Sequence, residues 1–165
     1  MPLYRKITYL ILLLTVVHAF VMSSHLPDEV AIHFNGTGEA DGYGSSTFYL
    51  SMEVVVIFFV TGLFMLPLRK IPINLISLPN IEYWMAPERY EQTMLYIEKE
   101  MGWFGCITAG WLLIDFHLGA IASLSDPVRM ASGPFWAMFV AYVIYTFVWS
   151  IKLATRFSKK EDLCN

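Results

Sequence analysis

Four long apolar stretches, near residues 7–23, 47–68, 102–124 and 134–151, divide this chain of 165 residues. Each is close to the roughly 20 apolar residues that a helix needs to cross a bilayer's hydrocarbon core. Backbone N–H and C=O groups find no water there, so a spanning segment must satisfy them internally, as a helix does. Four such spans use about half the chain, which leaves no room for a second sizeable domain. The reading is an all-α membrane protein, a single integral-membrane domain over residues 1–165 with the lipid bilayer as its first partner. Composition agrees: 15% of residues are charged, against about 25% in soluble domains. The net charge of −3 offers no basic footprint for nucleic acid.

The basic residues orient the spans. With the N-terminus inside, Arg5, Lys6, Arg69, Lys70, Arg89, Lys99, Lys152, Arg156, Lys159 and Lys160 all fall on the cytoplasmic side. Only Arg129 falls outside. Cytoplasmic loops retain Lys and Arg, so both termini are expected in the cytoplasm. Residues 24–46 then form an outer loop and 69–101 a cytoplasmic one. Arg5 and Lys6 followed by Ile7–Val21 also resemble a secretory signal, but the apolar run is long and no clean Ala-x-Ala site follows. A retained anchor is expected.

The outer loop carries Asp28, Glu29, Glu39 and Asp41 and no Lys or Arg. Val30–Phe34 reads as a short strand. Gly36, Gly38, Gly42 and Gly44 read as turns. Asn35-Gly36-Thr37 matches a glycosylation acceptor. His25 and His33 read as surface histidines, or ones that bond loop backbone. Cys106, inside the third stretch, and Cys164, in the basic tail, are too far apart to imply a disulfide.

On the cytoplasmic side, Ile71–Met85 contains Pro72 and Pro79 and lacks helical period, so it reads as a loop at the membrane surface. Tyr83 and Trp84 suit the headgroup level. Pro87 opens a short juxtamembrane helix, with Glu88 and Glu91 in its first turns where acids complement the helix dipole. That helix continues or bends into the third span, where Gly105 and Ala109 make a small-xxx-small pair for close packing. Glu98-Lys99-Glu100 reads as a solvated face.

Ionisable groups inside spans are rare because desolvating them costs several kcal/mol unless they are paired. His18, Glu53, Asp115 and His117 are such groups. Three helices of alternating direction put them in one layer near the outer face. Tyr49, Glu53 and Thr61 share a face of the second span. Asp115 and His117 lie about 200° apart on a helix, so they cannot both address one partner. The layer serves either as interhelical hydrogen-bond glue or as a proton, cation or ligand site. No HxH or HExxH spacing supports a metal centre. No phosphate loop or nucleophile elbow implies a cofactor or a catalytic set.

Two stretches resemble a bacterial multi-pass membrane family of unknown function, whose domain also forms the N-terminal part of proteins that confer immunity to the sporulation-delay peptide toxin. The first is Leu26-Pro27-x-x-Val30-Ala-Ile-His33-Phe34-Asn35 with Gly38-x-x-Asp41-Gly42-Tyr43-Gly44-Ser45. The second is Leu78-Pro79-Asn80-x-x-Tyr83-Trp84-Met85-Ala86-Pro87-Glu88-Arg89. Ile81 stands where the family pattern expects a basic residue. The resemblance implies a multi-pass protein of the bacterial inner membrane and no established activity. Three functions fit the residues. The leading one is a non-enzymatic sensing, binding or immunity-like role at the outer face, with a protein partner at the cytoplasmic loop. The second is a small transporter or accessory subunit using the intramembrane Glu/His cluster. The third is a metal-dependent membrane enzyme. Oligomeric state stays open.

Overall fold

A computed structural model describes residues 1–72 and 75–158; Lys159, Lys160 and Cys164 lie outside these. The elements in chain order are α1 (Leu3–Met22), β1 (Glu29–Phe34), β2 (Ala40–Ser45), α2 (Ser46–Phe64), a 3₁₀ turn (Leu68–Lys70), α3 (Ile81–Trp84), α4 (Pro87–Ser123) and α5 (Ser132–Ser158). Helices α1, α2, α4 and α5 are each long and apolar enough to cross a membrane. The fold is therefore mainly helical, but the expected all-α class needs one correction: the loop after α1 is an antiparallel β-hairpin.

Burial is inverted relative to a soluble bundle. Phe20, Phe59 and Phe147 are 79%, 69% and 66% exposed, whereas Glu53, Thr8, Thr15 and Thr61 are buried. Extensive exposed apolar surface of this kind marks a membrane-facing exterior. Thr8 and Thr15 satisfy their hydroxyls within α1, on the carbonyls of Tyr4 and Ile11.

Helices α1, α2 and α4 form the tight core because α4 is small where the others meet it. Gly102 lies under the Tyr4 ring of α1 and Gly105 under Phe64 of α2. Ala109 is fully buried between them. Apolar burial supplies no drive between helices in lipid, so close backbone approach and van der Waals contact must hold them together. Helix α5 packs differently, through aromatic side chains on another side of α4. Trp111 stacks on Tyr142 at 4.9 Å between ring centroids, and Phe104 meets Trp149 at 4.4 Å. Thr108 Oγ1 and the Tyr142 hydroxyl are 2.8 Å apart.

The N-terminus of α1, the C-terminus of α2, the start of α4 and the end of α5 meet at one end of the bundle. Arg69 Nη1 donates to both carboxylate oxygens of Glu91, at 2.8 and 3.0 Å, and its Nε donates to Glu98. Lys152 Nζ donates to Glu100 at 2.9 Å. Glu98 and Glu100 therefore tie elements together and do not form the solvated face their charge pattern suggests. The segment before α4 also differs from expectation. Asn80, in a left-handed conformation, starts the single turn α3 inside the stretch read as loop. Its side-chain amide donates to the carbonyls of Phe157 and Ser158, and Trp84 Nε1 donates to Phe157 at 2.9 Å. These bonds tie the segment before α4 to α5. Trp84 is fully buried against Phe157, so its ring packs inside the protein. Tyr83 instead carries Arg89 over its ring, 4.1 Å from the centroid. The helix that opens at Pro87 is continuous with the third apolar stretch as one helix of 37 residues. Glu88 in its first turn is exposed.

The seam on α4 is open to a paired test. A methyl group at Gly105 would overlap the Phe64 Cβ, while one at Gly62 would meet nothing within 4 Å. Gly105→Ala is expected to destabilise the protein by about 1–3 kcal/mol through overpacking. Gly62→Ala should be neutral or stabilising by up to about 1 kcal/mol, through helix propensity. Thermal unfolding in detergent compares them, and equal stability of the two variants would contradict the seam.

Candidate functional site

The hairpin is built locally and then docked. Asn35 Oδ1 accepts bonds from the backbone N–H groups of Thr37 and Glu39 and from the Thr37 hydroxyl, which closes the turn. Gly38 completes it at φ +85°, with its Cα against the Met130 carbonyl, where any side chain would collide. Gly42 and Gly44 are strand residues of β2 and not the turns expected. Gly42 sits opposite His33, across an irregular register, where a larger residue would crowd the His33 Cβ. His33 Nδ1 bonds the Asp41 carboxylate on the exposed face.

One face of the hairpin covers the bundle. Val30 and Ala31 are buried, Val30 in a cluster with Tyr49, Leu50 and Ala120 that Leu26 flanks. The Ala31 N–H donates to Ser123 Oγ of α4. Met130 N donates to the Gly38 carbonyl, and Trp136 Nε1 of α5 donates to the Gly36 carbonyl at 3.1 Å. Pro27, before β1, is exposed. His25 Nδ1 lies 2.8 Å from the Val21 carbonyl, so it bonds the end of α1.

Beneath the hairpin lie two polar features. The first joins three helices. His18 Nδ1 of α1 is 2.7 Å from Glu53 Oε1 of α2, and His18 Nε2 is 3.1 Å from His117 Nδ1 of α4. Glu53 is fully buried, His18 is mostly buried, and His117 is exposed at the bundle surface. The three form a linear chain from the interior outward. With Glu53 ionised, His18 donates through Nδ1 and accepts at Nε2 from His117. With a proton added to His18, both its nitrogens donate, and His117 must then carry its own proton on Nε2 so that its Nδ1 accepts. Glu53 Oε2 is buried and has no hydrogen-bond partner among the described residues. Tyr49, Glu53 and Thr61 do share the buried face of α2, together with Ile57. Among the described residues, no three His, Cys, Asp or Glu side chains converge as a metal would require.

The second feature is a cavity of about 380 Å³ between the hairpin, α4 and α5. Asp115 lines it and is therefore separated from His117, two residues away on another face of α4. Phe34, Tyr49, Phe116, Phe135 and Trp136 supply aromatic walls. The Tyr49 hydroxyl donates to the Phe116 carbonyl. Gly119 leaves room for that hydroxyl. Of the four intramembrane groups, then, His18, Glu53 and His117 meet and Asp115 does not. The cavity walls on α5 were not singled out in the sequence. The signal available there was the Phe135-Trp136 pair one turn into the last helix, opposite a Gly-rich hairpin.

The second signature, Pro79, Asn80, Tyr83, Trp84, Pro87, Glu88 and Arg89, is at the opposite end of the bundle, where Asn80 and Trp84 donate to carbonyls of α5.

The fold and its burial pattern define a multi-pass membrane protein. Over residues 10–57, the chain is similar to the family described as a domain of unknown function, DUF1648. The matched segment holds the hairpin and both partners of the His18–Glu53 bond, but not Asp115 or His117. No curated protein and no solved structure matches the chain.

The triad makes a graded prediction. Glu53→Gln keeps an acceptor for His18 and should stay within about 1 kcal/mol of the native stability. Glu53→Leu strands the His18 donor and should cost about 1–3 kcal/mol more. Unfolding of both variants in detergent at one pH measures the difference. Equal stability of Gln and Leu would show that the bond contributes nothing.

Proposed function

We propose that this protein is a non-enzymatic binding or sensing component of a bacterial cytoplasmic membrane, with both termini inside and its ligand site at the outer face. The observation that carries this reading is the cavity under the hairpin. It is concave, largely aromatic and furnished with few polar groups, the usual character of a small-molecule site. The hairpin acts as its cover, held by backbone bonds to α4, the α4–α5 turn and α5. The basic residues support the orientation, because Arg5, Lys6, Arg69, Lys70, Arg89, Lys99, Lys152 and Arg156 all belong to the end opposite the hairpin. An immunity-like role, in which the outer face meets a toxic peptide, is one form of this reading. At the inner end Glu82, Pro87 and Glu88 are exposed and available to a protein partner, while Asn80 and Trp84 are taken up in bonds to α5.

A second reading, a small transporter or accessory subunit, draws on a different observation. The chain Glu53–His18–His117 can carry a proton between a buried carboxylate and the bundle surface, and Glu53 Oε2 is unpartnered among the described residues.

Thiol labelling tests the first reading. Cysteines at Ser45, Ser125 and Ser132 should react with an impermeant reagent added outside intact cells, and one at Ser158 should not. Ser132 lines the cavity, so solutes that enter it should slow labelling there and leave Ser45 unaffected. Labelling at Ser158 would reverse the orientation. Ser132 that stays unreactive until the membrane is permeabilised, or that no solute protects, would overturn the outer binding site.

A further inference from the structure

The cavity's lining has a charge asymmetry that specifies its ligand. Asp115 is its one carboxylate, and no Lys or Arg lines it. The Asp115 side chain makes no hydrogen bond or ion pair among the described residues. His33, the remaining titratable group besides Tyr49, already has Nδ1 engaged by Asp41 and is largely exposed. Arg129, the nearby basic residue of the α4–α5 turn, is turned to the outside of the hairpin. Its Nη2 lies 3.4 Å from the Thr37 carbonyl and 4.0 Å from Glu39. A half-buried carboxylate without a counter-charge is unfavourable in a low-dielectric surrounding. Around it stand five aromatic rings, Phe34, Tyr49, Phe116, Phe135 and Trp136, whose faces attract positive charge.

We propose that the cavity binds a small organic cation, a substituted ammonium whose charge faces Asp115 and whose alkyl groups lie against the rings. An inorganic cation fits poorly, since Ca²⁺ seeks six to eight oxygens and Mg²⁺ an octahedron of them, and the lining offers a single carboxylate in a largely apolar wall. A carboxylate or phosphate ligand would be repelled by Asp115 with no basic group to compensate. A wholly apolar ligand would leave the carboxylate stranded. Aromatic walls around a single acid form the arrangement that recognises quaternary ammonium groups, and the volume suits a molecule of that size. This assignment rests on the outer-face binding site proposed above and names its ligand class.

Three probes of one shape separate charge from fit: choline, its uncharged carbon analogue 3,3-dimethylbutan-1-ol, and the anion 3,3-dimethylbutanoate. Binding is read by calorimetry on protein in maltoside micelles, which carry no ammonium group. Choline should bind saturably, the alcohol roughly tenfold more weakly or worse, and the anion not at all. Asp115→Asn should remove that tenfold advantage while the protein stays folded and still binds the alcohol. Asp115→Glu should retain the preference for the cation. Phe135→Leu should weaken choline binding several-fold. Equal binding of choline and the alcohol, or full choline affinity in a folded Asp115→Asn protein, overturns the cation assignment and leaves the binding site standing. No saturable choline binding also overturns the assignment. The labelling of Ser132→Cys decides separately whether the cavity is open at all.

Discussion

The bond between Glu53 and His18 is the constraint around which the hairpin half of the bundle is organised. A carboxyl group that is fully buried in an apolar helix bundle must be neutral or paired, since an isolated buried charge costs several kcal/mol. His18 meets Glu53 at 2.7 Å and passes the contact to His117 at 3.1 Å, so one polar requirement draws α1, α2 and α4 to a common depth. Once those helices are fixed, the α4 seam of small residues sets how closely they approach. Tyr49, one turn from Glu53, then reaches the Phe116 carbonyl across Gly119. That contact forms the floor on which the hairpin rests.

The two ends of the bundle solve different problems. At the basic end, long helices are joined by charge pairs, and Asn80 and Trp84 donate from their side chains to carbonyls of α5. The hairpin end holds the buried Glu53–His18 pair and carries the cavity. Separating the triad from Asp115 on two faces of α4 gives this end two chemistries: a hydrogen-bonded chain that can hold a proton, and an aromatic pocket with one unpaired acid.

Much of this was legible in the residues. Long apolar runs and an uneven distribution of Lys and Arg define the spans, and helical spacing alone separates Asp115 from His117. The meeting of His18, Glu53 and His117 follows from their matched depth on alternating helices. What was not legible depends on contacts distant in sequence. Trp84 reads as an interfacial anchor because its local context is amphipathic, and only the return of Phe157 buries it. Gly42 and Gly44 read as turns because glycine usually marks them, yet here they allow β1 and β2 to lie close. Glu98 and Glu100 read as solvated because their partners, Arg69 and Lys152, are 29 and 52 residues away. The cavity has walls from four elements, and no local pattern announces such a convergence.

The central claim is that Glu53 and His18 stabilise the bundle as a pair. A double-mutant cycle tests it most directly, with Glu53→Leu, His18→Leu and the double variant unfolded in the same detergent. The double variant is expected to lose less stability than the two single losses added, by about 1 kcal/mol or more, because each single change strands the other's buried polar group. Losses that simply add would contradict the account and leave His18 and Glu53 as neighbours with no energetic bond between them.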